Sequence, residues 1–318
     1  MAGLSFRGAL NRTDRWFFDP QPVDALVLSR ITFGAALFFA YLVRLPEFLM
    51  LYGPHGLAGA QWIHPYRPGG QVLDGLIPTL EASLPGISEP MISAAYTLLL
   101  LSALCFTLGL RTRSAGIALL LLHMFFQRLR LPYSFWGWSV LIQPLLFYVI
   151  LSQAGRFSSL DRWLRRRRPA SNAETDESWT ASAWPLRLLQ IHTCTMYLVA
   201  GLNRLDDPAW IDGQTIWFAM TRTEYSRWVF DWQAMKPLFE VGNYATWLLE
   251  PVAPVLLWVK GIGPWIAYAL IAMHVGLEVL TNVGWWNFMM IATLTAFIPR
   301  SHLRAVTRLL PGGPKAAD

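Results

Sequence analysis

The sequence predicts an all-α protein: a polytopic integral membrane helical bundle with about eight transmembrane helices, interfacial helices in long outer loops, and both termini inside (N-in/C-in). Hydrophobic residues make up 54% of the 318 and charged residues only 14%, with a positive mean hydropathy. Such a balance suits a chain solvated largely by lipid and excludes an ordinary soluble domain. Apolar runs of roughly 16 to 21 residues recur along the length, enough at helical rise to cross a hydrocarbon core of about 30 Å. Many of the 16 tryptophans lie near the ends of those runs, where indole rings sit at the bilayer interface.

The net charge of +6 invites a nucleic-acid reading. The basic residues, however, fall in short loops between apolar runs, where the positive-inside rule accounts for them. The expected partners are therefore membrane lipids and other membrane proteins, with no nucleic acid. Cys105 and Cys194 both lie within apolar runs and read as small core residues, neither a disulfide framework nor a metal site.

Residues 1–24 form an interfacial segment in which Trp16-Phe17-Phe18 lies flat on the membrane surface. No small-residue cleavage site precedes the first apolar run, which reads as a retained span. Residues 25–152 hold spans one to four. The first carries Arg30 near its start, placed either to snorkel to the surface or to pair inside. A long outer loop, 44–90, follows and is expected to fold as short helices and turns. Its His55 and His64 lack a third ligand at metal spacing, so no metal site is expected.

Spans two and three meet at the tight Arg111-Thr112-Arg113 turn and should form an antiparallel hairpin. His123 in the third span reads as a core histidine satisfied by a carbonyl or hydroxyl. The aromatic turn Pro132 to Trp138, containing Trp136 and Trp138, is interfacial anchoring or the wall of an apolar pocket. Pro144 should kink the fourth span.

Residues 153–183 form a cytoplasmic, Arg-rich linker with the polar composition of a poorly ordered segment. Residues 184–299 hold spans five to eight, with an outer loop at 205–242. Arg187, Gln190, Cys194, Tyr197, Gly201 and Arg204 recur at spacings of three and four. That spacing puts them on one face of the fifth span, turned from lipid. The sixth span carries Glu250, expected from Asn243 onward. On the seventh, His274 and Glu278 are four apart and able to exchange a hydrogen bond. Residues 300–318 are a basic cytoplasmic tail. The arginine excess in the segments holding 1–24, 111–113, 153–183 and 300–318 sets the N-in/C-in orientation and makes one membrane domain overall.

The stretch Tyr197 to Gly213 begins inside an apolar helix and ends in a polar loop holding Arg204, Asp206, Asp207 and Asp212. Here the chain resembles a known family. Tyr197-x-x-Ala200-Gly201-x-x-Arg204-Leu205 followed by Trp210-x-x-Gly213 is similar to the signature of the horizontally transferred transmembrane (HTTM) domain, which includes the vitamin K-dependent gamma-carboxylases and many bacterial relatives. Arg30-x-x-x-Gly34, Tyr52-Gly53-x-x-Gly56-Leu57, Arg156-x-x-Ser159-Leu160-Asp161, Leu249-Glu250, His274-x-Gly276 and Ala296-Phe297-Ile298-Pro299 extend the likeness in order along the chain. The resemblance to bacterial relatives implies a bacterial inner (plasma) membrane.

In the carboxylases that the chain resembles, a lysine at the position of Arg204 is proposed to deprotonate vitamin K hydroquinone. A guanidinium keeps its proton at any useful pH, so Arg204 suits anion binding and not general base work. The family's functional histidine before the fourth span is replaced by Trp138 in Trp136-Gly137-Trp138. Carboxylation is therefore not expected, and no catalytic residue is assigned.

Two readings remain. One is a noncatalytic subunit, or a lipid- or quinone-binding membrane protein, that has lost carboxylase chemistry. The other is a membrane enzyme or redox partner acting on an isoprenoid quinone in an outer-facing pocket. Ligand-binding candidates are Arg204, Tyr197, Asn203, Trp138, Trp136, His274 and Glu278, the last two as proton carriers. Arg30, Arg187, Gln190, Asp206, Asp207 and Glu250 are structural polar candidates, with Arg204 expected to pair with Asp206 or Asp207. The cofactor is open, an isoprenoid quinone or lipid being compatible. No internal repeat supports a transporter.

Overall fold

The computed structural model describes residues 6–56, 88–130, 137–166, 179–229, 231–311 and 313. Helices dominate: α1 (Phe6–Phe18), α2 (Asp24–Leu42), α3 (Phe48–Tyr52), α4 (Glu89–Leu108), α5 (Thr112–Arg130), α6 (Gly137–Leu151), α7 (Leu160–Arg166) and α8 (Trp184–Leu205). After these come α9 (Pro208–Ile211), α10 (Thr215–Thr221), α11 (Trp232–Leu256), α12 (Gly263–Leu280), α13 (Trp286–Leu294) and α14 (Arg300–Thr307). The described strands are β1 (Pro20–Pro22) and β2 (Thr180–Ser182), paired antiparallel with Gln21 opposite Ala181. This ribbon ties the start of α2 to the start of α8.

Helices α2, α4 and α12 are long and apolar enough to cross a membrane; α6 makes a fourth if it is joined to the helical segment 154–166, from which it bends by 59°. Only 33% of the most apolar window of α4 and 22% of that of α12 is buried. Leucines and valines such as Leu98, Leu101, Val275 and Val279 are left facing outward. A helix apolar all round with so little covered needs lipid as its solvent.

Helix α2 is the centre of one half, packed on α4, α6, α13 and α14. Phe33, Leu37, Leu99, Phe106, Leu145 and Leu146 fill its core. In the other half α8 lies along α11, and Tyr197, Ala253, Leu257, Ala267, Leu270 and Leu294 form a second core. Leu141, Trp286 and Ile298 pack against both cores and join them.

Several sequence expectations are corrected. Arg30 does not snorkel: it is 1% exposed, and its guanidinium donates to Ala154 O at 2.9 Å, Phe157 O at 3.1 Å and Ser158 O at 2.6 Å. The ends of the linker are consequently ordered. Arg30 gathers residues 154–158, α7 follows them, and Trp179, 2% exposed, precedes β2; residues 167–178 lie outside the described part.

Helix α11 starts well before Asn243. The Asp231 carboxylate accepts from Gln233 N at 3.1 Å and Ala234 N at 3.4 Å and caps a helix that reaches back into the segment 205–242. Helix α6 continues through Pro144, and a 59° bend follows Leu151. Trp16 is also held by the chain itself, with the Arg187 guanidinium over its ring at 4.8 Å and Trp258 packed 5.6 Å away.

Candidate functional site

Two polar assemblies stand inside the apolar framework. The first grows from the face of α8 that carries the three-and-four spacing. Arg187 donates to Gln190 Oε1 at 2.9 Å, and Gln190 donates to Ala296 O at 2.7 Å. Both hold the near end of α8 in place.

At the far end Arg204 forms an ion pair with Glu250 of α11, whose side chain is 6% exposed. The guanidinium also lies 4.4 Å from the Trp210 ring centroid. Gly201 makes the pair reachable, since a Cβ there would sit 2.5 Å from Pro251 N. The aspartates expected to hold Arg204 do other work. Asp207 caps α9 by accepting from Ala209 N at 2.9 Å, and Asp206 is exposed at the end of α8. Asn203 is exposed too and joins neither assembly.

From the middle of α8, Tyr197 OH lies 2.8 Å from His274 Nε2, and His274 Nδ1 lies 2.9 Å from Asn287 Oδ1. An amide oxygen only accepts, so Nδ1 carries the proton and Nε2 accepts from the tyrosine. Asn287 donates to Glu278 Oε2 at 3.1 Å, and Glu278 Oε1 accepts from Arg227 at 2.5 Å. Arg227 also donates to Thr281 O at 2.6 Å. His274 and Glu278 therefore do not bond each other: Asn287 stands between them, and its amide does not pass a proton on. This network is saturated and runs from the buried Tyr197–His274 pair to the exposed Arg227, which suits a fixed frame.

The second assembly is a cavity of about 310 Å³ between α2, α5, α6 and the α12–α13 connection. Tyr41, Tyr52, His123, Trp138, Arg44 and Trp285 are among its walls, with Ser139, Gln127, Asn282 and Gly284. His123 Nδ1 lies 2.9 Å from Tyr41 OH and Nε2 lies 2.8 Å from Ser139 O, the carbonyl-and-hydroxyl satisfaction its lone position suggested. Ser139 O only accepts, so Nε2 is protonated and Tyr41 donates to Nδ1.

Two donors in these walls have no partner among the described residues: Trp138 Nε1 and Tyr52 OH, on residues 6% and 3% exposed. An unmet buried donor costs about 1–3 kcal/mol, so both call for an acceptor from beyond the described residues. Trp138 thus belongs to a pocket wall, and Trp136 lies outside the described residues. Arg204 is not among the lining residues. The segment 281–287 separates the assemblies, giving Asn282, Gly284 and Trp285 to the cavity and Asn287 to the saturated network.

Sequence reasoning did not single out Tyr41, Asn287 or Arg227, and it named Tyr52 only within the Tyr52-Gly53-x-x-Gly56-Leu57 likeness, not as a site residue. Tyr41 and Tyr52 had one available signal, a tyrosine on either side of a predicted outer boundary. Asn287 and Arg227 had none, because their partners are distant in the chain.

Helices with bare apolar faces around buried, mostly paired polar residues define a helical membrane protein. Residues 78–301, well over half of the chain, match the family model described as the HTTM domain, and the chain belongs to that family. No curated protein and no solved structure matches the chain.

Proposed function

We propose that the protein is a multi-pass membrane protein that binds the polar head of a lipid-like molecule in the aromatic cavity, an isoprenoid quinone being the favoured class, without carboxylase chemistry. All of the predicted spans cross in this reading, both termini are cytoplasmic, the cavity faces outward, and the membrane is a bacterial inner membrane. The unpartnered Trp138 Nε1 and Tyr52 OH carry the proposal. A quinone carbonyl, or a lipid ester or phosphate oxygen, supplies the acceptors that these donors lack, and the aromatic rings cover the apolar remainder.

The chemistry of a proton-abstracting base is missing on this reading. Arg204 is charged and paired with Glu250, and Trp138 offers a donor where the related carboxylases hold a histidine. Quinone extraction and mass spectrometry of the detergent-purified protein test the proposal. A stoichiometric quinone or lipid should be retained, and Trp138→Phe or Tyr52→Phe, each losing one hydrogen bond of about 1 kcal/mol, should weaken retention about fivefold. Retention unchanged in both variants would remove the cavity from consideration. Stoichiometric protein partners with no small molecule would favour the noncatalytic subunit.

A second reading, a membrane enzyme or redox partner, draws on His123, whose ring lines the cavity against Tyr41. Reduction or oxidation of a bound quinone lost in His123→Gln, with the quinone still bound, would favour it.

A further inference from the structure

A second cavity, of about 610 Å³, lies at the opposite end of α5 from His123. Its floor and rim come from the first turn of α5, the segment after α6 and the start of α7. Arg111, Arg113, Arg156 and Arg165 face a single carboxylate there, Asp161. That carboxylate is already engaged, because its Oδ2 accepts from Arg111 N at 2.7 Å. Arg113 and Arg165 are exposed and hydrogen-bond no described residue. Positive charge is thus in excess at a helix N-terminus, where first-turn N–H groups also lack intrahelical acceptors.

An independent observation marks the place as a site. Thr112 lines the cavity, is only 7% exposed, and its Oγ1 has no partner among the described residues. Gly155 opposite leaves the room for it: a Cβ there would fall 2.5 Å from that oxygen. A buried hydroxyl left without a partner inside a basic bowl is an unfilled donor for an anionic oxygen.

We infer that this bowl binds a phosphate-bearing anion, the headgroup of an anionic phospholipid. Phosphate supplies several acceptors at once to guanidiniums, hydroxyl and helix N-terminus. A lipid is favoured over free phosphate because apolar side chains flank the bowl along the helices that form it. Leu108 of α4, Ile117 and Leu121 of α5, and Leu151 of α6 are 49%, 51%, 61% and 38% exposed, a surface on which acyl chains would lie. Basic pockets between membrane helices on the cytoplasmic side recognise such headgroups. The inference rests on the membrane reading but not on what occupies the aromatic cavity.

Native mass spectrometry of the full chain, exchanged between micelles holding phosphatidylglycerol and phosphatidylcholine of equal chain length, tests it. Phosphatidylglycerol should be retained selectively, and Arg113→Gln combined with Arg165→Gln should weaken that retention about tenfold. Arg113→Lys with Arg165→Lys should preserve most of it, and Thr112→Val should lower it a few-fold. Unchanged thermal midpoints in the exposed arginine variants establish that the fold is intact. Equal retention of both lipids, or equal retention by wild type and the glutamine variant, overturns the site. Saturable binding of inorganic phosphate to delipidated protein, without preference for the anionic lipid, assigns the bowl to free phosphate and overturns the headgroup assignment. Any molecule in the aromatic cavity is read in the same spectra as a separate mass, so the two readings fail separately.

Discussion

Arg30 is the residue on which the α6–α7 end of the bundle turns. One guanidinium serves three carbonyls of residues 154–158 and so closes the end of α6 against α2. Replacing it by methionine leaves those carbonyls facing an apolar side chain, and the thermal midpoint in detergent should show a loss of about 3–5 kcal/mol. Lysine should recover little, since an ammonium cannot reproduce the planar fork.

Arg204 and Glu250 make a different case. Removing either partner strands the other, so Arg204→Met or Glu250→Leu alone should each cost about 2–3 kcal/mol. The double variant should cost clearly less than their combined loss. Additive losses in that cycle would mean that the pair does not couple. The arginine was legible as an oddity from its place at a helix mouth, but its partner was not. Asp206 and Asp207 are nearer in sequence, yet Asp207 is engaged in capping α9, and Glu250 reaches Arg204 only because another helix passes there.

At the level of elements, the contact of α8 with α11 depends on a small residue at the crossing. Gly201→Leu should separate those helices and lower the thermal midpoint strongly, because the obstacle is the backbone of Pro251. Gly276 on α12 is a matched control. A Cβ there meets nothing within 4 Å, so Gly276→Leu should leave the midpoint within about 1 kcal/mol of wild type. Helix positions were legible from apolar runs because burial in lipid or protein selects the same side chains. Ends were less so. The start of α11 at Trp232 follows from the Asp231 cap, and the apolar run by itself begins later.

For the whole molecule, the charge distribution and the helix order make a claim about sidedness. With both termini cytoplasmic, a maleimide that does not cross membranes should label Asp212→Cys on intact spheroplasts but not Arg308→Cys, which should label only after the membrane is opened. The reverse pattern would invert the topology, and labelling of both on intact cells would place the α9–α10 connection and the tail on one side. Native Cys105 and Cys194 lie within helices and should give a low background.

By itself the sequence determined that the chain is helical and built for lipid, since composition and run length report the solvent of each segment directly. It also marked Arg204 as a poor base, because the acid–base limit of a guanidinium does not wait on context. Only the tertiary structure decided who partners whom. Glu250 holds Arg204, Asn287 stands between His274 and Glu278, and Trp138 meets Tyr52 and His123 around a cavity. Hydrogen bonds and ion pairs are short-ranged while the chain distances involved are long, so the crossing of helices, and nothing in local pattern, brings those atoms within reach.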